Sequence, residues 1–102
     1  MKKFLRSLYG SAHASKHEVE IMYFGSASDA LMMTSERMDI RNDTFSISQI
    51  LLRLRERGAS WAHVLDERNV ICTVNGKTAL PSDSIAAGDE IGIFSRRSPY
   101  AV

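Results

Sequence analysis

Polar and apolar residues alternate from Glu18 to Phe24, with Val19, Ile21 and Tyr23 on one side and Glu18, Glu20 and Met22 on the other. Successive side chains of a strand point to opposite faces, so this stretch predicts a half-buried strand. Gly25-Ser-Ala-Ser-Asp interrupts the alternation and is expected to end it. A weaker alternation from Met33 to Ile40 predicts an edge-like strand with Met38 and Ile40 inward, and Arg41-Asn-Asp predicts a turn.

The period then changes. Ile47, Ile50, Leu51 and Leu54 recur at i, i+3, i+4 and i+7, the apolar stripe of a helix. Ser46 precedes the stripe and Gln49 follows three residues later, the pattern of a capping box. Arg53, Arg55 and Arg57 suit the negative end of the helix dipole, and Gly58 is expected as a left-handed C-cap. Trp61 to Leu65 predicts one more helical turn, and Asp66 to Asn69 a loop.

In the last third, Val70, Cys72 and Val74 share one face of a strand, and Ile71 and Thr73 share the other. Asn75-Gly76 tolerates positive φ at both positions and predicts a tight hairpin. Lys77 to Leu80 returns until Pro81, which has no N–H to donate to a ladder. Gly88-Asp89 turns the chain into an apolar strand, Glu90 to Phe94. Strands followed by a helix and then more strands imply an α+β plan, in which helix and sheet bury one apolar face each against the other.

A length of 102 residues fits one domain, and 44% hydrophobic with 25% charged residues fits an ordinary globular chain. No apolar run has the length of a membrane helix. The single cysteine, Cys72, excludes an intrachain disulfide and suggests a reducing, cytoplasmic setting. Charge divides the chain unevenly. Lys2, Lys3, Arg6 and Lys16 lie in residues 1–17 with no carboxylate among them, so residues 18–102 hold the other nine basic residues against all 12 acidic ones. The acidic body does not favour phosphate-driven nucleic-acid binding. Phe4, Leu5, Leu8 and Tyr9 would form one stripe of a short basic helix, so residues 1–17 read as an arm or an organelle-import segment.

No catalytic constellation stands out. Cys72 reads as a small core residue. His13, His17 and His63 lack ligand spacing, the serines lack an elbow motif, and no glycine loop is built for phosphate. No metal and no cofactor is implied. Arg53, Arg55 and Arg57 with Arg96 and Arg97 form either a basic patch or a solvated helix face with a polar tail.

Taken in order, several pieces carry a resemblance. They are Val19 to Gly25 with Tyr23-Phe24, the capped helix from Ser46, Trp61-Ala62, Val74-Asn75, and Gly88-Asp89-Glu90-Ile91 before Ile93-Phe94. With them the chain resembles the sulfur-carrier proteins of the ubiquitin-like β-grasp fold, and among these the small subunit of molybdopterin synthase. The resemblance implies a mixed sheet of four to five strands on one main helix over residues 18–97, with residues 98–102 as a C-terminal tail. It implies a role in molybdenum cofactor biosynthesis through partners, namely a synthase large subunit and an adenylating activating enzyme. Catalytic side chains would belong to those partners. The tail carboxylate would be adenylated, converted to a thiocarboxylate and inserted into the large subunit. Docking would use an apolar patch on the sheet face away from the helix, which points to Phe24 as an exposed residue, with Phe94 and Thr78 nearby and Arg96 and Arg97 beyond. Members end in Gly-Gly, which threads a narrow channel because it has no side chain. Counting from Phe94, Pro99 and Tyr100 stand at those positions here, followed by Ala101 and Val102, and no Gly-Gly occurs in the chain. The alternatives are a ubiquitin-like interaction module with no tail activation and an RNA-binding module.

Overall fold

The computed structural model of the chain describes residues 17–40 and 45–96. Strand β1, Glu18–Phe24, alternates as expected, and Val19, Ile21 and Tyr23 are buried. Strand β2, Ser35–Asp39, pairs antiparallel with β1 and forms one edge of the sheet. Met38 and the following Ile40 point inward, as the weak alternation predicts.

Helix α2, Ile47–Arg55, is set by the residues at its start. Gln49 N–H donates to Ser46 Oγ at 3.2 Å and Ser46 N–H donates to Gln49 Oε1 at 2.7 Å, closing the capping box. Ile47, Ile50, Leu51 and Leu54 are all buried, so the predicted stripe is the packed face. Replacing Ser46 with alanine orphans an N-terminal N–H, and thermal denaturation is expected to show a loss of about 1 kcal/mol.

Strands β4, Val70–Val74, and β5, Lys77–Ala79, form the predicted hairpin, with Asn75 at φ 52° and Gly76 at φ 87°. Strand β7, Glu90–Ser95, then enters the middle of the five-stranded sheet, whose order is β2-β1-β7-β4-β5. It runs parallel to β1 and antiparallel to β4. Its neighbours cover both edges, and Ile91 and Ile93 are fully buried in one core with Ile47, Ile50, Leu51 and Leu54 of α2, against which Trp61 and Val64 of the short helix α3, Ala59–Val64, also pack. No helix among the described residues is long and apolar enough to cross a membrane.

Four local expectations need correction or extension. Gly25 to Asp29 does more than end a strand, since Gly25–Leu31 is a helix, α1, that buries Ala27 and Leu31. Its two apolar anchors stand only four residues apart, too little periodicity to register. Gly58 is not a left-handed C-cap. Helix α2 ends on Glu56 in right-handed geometry, and Gly58, at φ 153°, is the N-cap of α3. Residues Glu67–Asn69 of the expected loop form a 3-10 turn, capped by the Asp66 carboxylate accepting from Arg68 N–H at 2.9 Å. A second, two-stranded sheet joins β3, Phe45–Ser46, to β6, Ser84–Ile85, and buries Phe45 and Ile85. The turn expected at Arg41 to Asp43 lies outside the described residues, as do nearly all of the arm and the whole tail.

Candidate functional site

Each strand that buries one face on the helices turns the other outward, and the ladder register fixes which side chains meet there. Across the sheet, Met22 of β1 stands beside Gly92 of β7, which stands beside Thr73 of β4 and then Thr78 of β5. In the neighbouring row Phe24 stands beside Phe94, and Phe94 beside Ile71. The outward face therefore carries an apolar patch at the end where β1 and β7 finish.

Phe24 and Phe94 form the centre of the patch. Their rings stack with centroids 4.5 Å apart and planes at 11°. Phe94 and Ile71 are each 38% exposed, and Leu80, just after β5, is 64% exposed. The expectation that Phe24 is exposed is corrected here, because its ring is half-buried against Phe94. Thr78 is exposed on the same face, two strands from Phe94. The backbone N–H of Arg96 donates to Asn69 O at 2.5 Å, which ties the end of β7 to the start of β4. Arg97, Pro99, Tyr100, Ala101 and Val102 lie outside the described residues.

Gly92 was not singled out from the sequence, yet it shapes this face. A Cβ at this position would overlap Thr73 Oγ1 and sit 3.3 Å from Phe24 Cε2 and 3.4 Å from Phe94 Cε1. The missing side chain lets the two rings lie down over the strand. Gly92→Ala is expected to destabilise the fold by about 1 kcal/mol through crowding and to tilt the ring pair, read as changed ring-proton shifts of Phe24 and Phe94. Only a glycine inside an otherwise apolar strand hinted at this close approach.

The other end of the outward face differs in charge. Glu18 and Glu20 open β1, Glu90 opens β7 beside Glu20, and Asp39 closes β2 beside Glu18. Arg37, across from Glu20, is the one cation of that face among these paired positions.

The inward edge carries a polar cluster that the sequence did not announce. Tyr23 OH donates to Glu36 Oε2 at 2.6 Å, and Arg57 binds the same carboxylate through both guanidinium nitrogens at 2.8 and 2.7 Å. The Arg57 guanidinium lies 4.6 Å from the Trp61 ring centre, and Trp61 meets Tyr23 edge-on at 5.9 Å. Burial pushes the Glu36 carboxyl up, but the hydrogen bonds from Arg57 and Tyr23 outweigh it and hold the group below its ordinary value. Burial, then the Glu36 bond, pushes the Tyr23 hydroxyl well up. Arg53 donates to Asp39 O at 2.5 Å and lies over Phe45. Arg53 and Arg57 thus have intramolecular partners, which weakens the basic-patch reading.

Cys72 faces the core between β7 and β5. Burial, aided by Glu67, pushes its thiol up to about 11, so the thiolate needed for nucleophilic chemistry is scarce at neutral pH.

No protein-family model and no curated protein matches the chain. Solved structures do. The chain is similar to small archaeal modifier protein 1 (SAMP1) from Haloferax volcanii, at 20% identity and TM-score 0.66, over 79% of this chain and 97% of that one. It is similar to SAMP1 from Methanosarcina acetivorans at 18% identity and TM-score 0.63, over 83% and 98%. A Pyrococcus furiosus protein assigned as molybdopterin converting factor, subunit 1, matches at 17% identity and TM-score 0.66, over 79% and 99%. At such identities the likeness is one of fold, and that fold is the ubiquitin-like β-grasp, α+β with a mixed five-stranded sheet.

Proposed function

We propose that this chain acts as a sulfur-carrier-like protein of the molybdopterin-synthase small-subunit type, working in cofactor biosynthesis through protein partners. The observation that carries the reading is the course of β7. This one central strand presents Phe94 on the outward apolar patch and then leads directly toward the C-terminal segment. A partner that grips the patch thereby aims whatever follows Arg96. A stacked aromatic pair on a small domain is a fitting anchor, since interface energy concentrates on such residues. The names of the similar proteins, two modifiers and a converting-factor subunit, agree with a carrier that others act upon. On this reading the partners are an adenylating activating enzyme and a synthase large subunit. Phe24, Phe94 and Thr78 are contact residues, Arg96 and Arg97 flank them, and Pro99 to Val102 form the delivered segment.

Pro99 and Tyr100 favour a second reading, a ubiquitin-like module that docks by the same face and is never activated, because two bulky residues stand where a narrow channel wants glycine. The two separate by intact mass after incubation with a sulfur-carrier activating enzyme, ATP and a sulfide donor. A carrier gains the mass of one oxygen exchanged for sulfur. An unchanged mass alongside retained binding to the enzyme selects the module. Under either reading Phe24→Ala with Phe94→Ala is expected to weaken binding by at least about tenfold, the effect of losing an interface anchor. Calorimetry of the variant against the parent checks it, and unchanged affinity removes the outward face from the site.

A further inference from the structure

We propose that Asn75 is a site of self-modification, where the backbone nitrogen of Gly76 attacks the side-chain amide, and that a clasp from β7 restrains the reaction in the folded chain. In this step a bond forms between Gly76 N and Asn75 Cγ, and the Cγ–Nδ2 bond breaks. The side-chain nitrogen takes the Gly76 proton and leaves as ammonia. Water then opens the resulting five-membered imide at either carbonyl, giving aspartate or isoaspartate. Water is the only co-reactant, and nothing is oxidised or reduced.

The tip of the β4–β5 hairpin meets the requirements of this chemistry. Asn75 and Gly76 are both exposed, so water reaches them. Gly76 has no side chain to shield its nitrogen, and nothing stands within 4 Å of the place a Cβ would take. Asn69, by contrast, precedes Val70, whose branched side chain crowds the corresponding nitrogen. The positive φ of both tip residues favours the pair Asn-Gly for the turn, and the same pair leaves the attacking nitrogen uncovered.

The Asn75 amide is gripped at both ends. Its Nδ2 donates to Asp89 Oδ1 at 3.0 Å, and its Oδ1 accepts from Glu90 N–H at 2.9 Å. The backbone N–H of Asn75 donates to Glu90 O at 2.8 Å. Asp89 is fixed in turn, because its Oδ2 accepts from Ala86 N–H at 2.8 Å and its N–H donates to Ala86 O at 3.0 Å. Cγ reaches Gly76 N only by turning the amide, and turning it breaks both side-chain bonds. The reaction therefore waits on local opening of the clasp, which needs less than global unfolding. After the reaction the clasp does not close as before. A carboxylate at position 75 has no N–H for Asp89 and sets two like charges where a donor and an acceptor met. The clasp joins the β4–β5 hairpin to the start of β7, the strand that carries Phe94, so modified copies hold the docking face less firmly. That consequence rests on the proposed function, whereas the modification does not.

The test uses neither the tail nor a partner, so its failure is separate from failure of the carrier reading. The full chain is kept in warm neutral buffer, and peptide mapping by mass spectrometry follows loss of the amide at Asn75. Conversion is expected to be more than about tenfold slower in the folded chain than in urea, where no clasp exists. Asp89→Ala removes the charged grip and is expected to speed conversion about tenfold over the folded parent. Asp89→Ser, which keeps a shorter acceptor for Ala86 N–H, is measured beside it, and circular dichroism identifies the variant that stays folded. Asn75→Asp, the product made directly, is expected to unfold at a lower urea midpoint than the parent. Equal rates in the folded and unfolded chains overturn the proposal, as does a folded Asp89 variant no faster than the parent. An unfolded chain that keeps its Asn75 amide removes the site, and a parent-like midpoint for Asn75→Asp removes the lasting effect on the clasp.

Discussion

Replacing Ile93 with alanine is expected to lower the free energy of unfolding by about 2–5 kcal/mol, the usual effect of deleting a large buried aliphatic group and leaving a cavity. Ile93 is fully buried on the central strand, beside Tyr23 of β1 and Cys72 of β4. Strands fix its backbone on both sides, so little can move in to fill the space. A domain of this size is stable by only about 5–15 kcal/mol in total, so the change takes a large share. Urea denaturation is the measurement: the midpoint falls with little change in slope. Leu52→Ala is the control. Leu52 sits on the same helix as Leu54 but is 53% exposed, and its loss is expected to stay within about 0.5 kcal/mol. Equal losses in the two variants would contradict the packing described here.

The second large effect is expected at Glu36. Glu36→Ala removes the acceptor of Tyr23 OH and both acceptors of the Arg57 guanidinium at one stroke. Hydrogen bonds to charged groups contribute about 1.5–3 kcal/mol, and a half-buried donor left without a partner brings the loss toward the upper end. The cluster joins β1, β2, the end of α2 and, through the Arg57–Trp61 and Tyr23–Trp61 contacts, α3.

Its pH dependence has a definite sign. Glu36 has a folded-state pKa below the unfolded value, so its contribution is present above the ordinary carboxylate value of about 4.3 and is lost as pH falls through the lower folded value. Tyr23 has a folded-state pKa raised above the unfolded value, so the stability linked to its proton is full below the ordinary tyrosine value of about 10 and is lost as pH rises beyond it. The stability difference between the parent and Glu36→Gln should therefore be greatest near neutral pH and shrink in acid. A difference that does not change between neutral pH and strong acid would show that the carboxylate charge is not what the cluster uses.

Element by element, the sequence was informative where the signal is local. Strand β1 shows in its alternation, α2 in its stripe and its Ser46–Gln49 box, and the β4–β5 hairpin in Asn75-Gly76. Each rests on neighbours a few residues apart, whose geometry the backbone period dictates. The Tyr23–Glu36–Arg57 cluster joins residues 13 and 21 positions apart, and neither a tyrosine in a strand nor an arginine at a helix end announces a partner. The β3–β6 pair links Phe45 to Ile85, two short stretches too brief to carry a period. Helix α1 depends on Ala27 and Leu31 finding burial rather than on propensity, since Gly and Ser open it.

The candidate site divides along the same line. By itself the sequence determined an α+β order for the main strands and helix α2, the inward residues of β1, β2, α2 and β4, and two phenylalanines at strand ends. Only the tertiary structure decided that those phenylalanines touch. Phe24 and Phe94 lie far apart in the chain and meet because β7 enters the middle of the sheet parallel to β1, in a register that also sets Gly92 beneath their rings. Periodicity tells a side chain which way to face. Which side chain it faces is set by strand order and register, and those follow from how the whole apolar surface is buried at once.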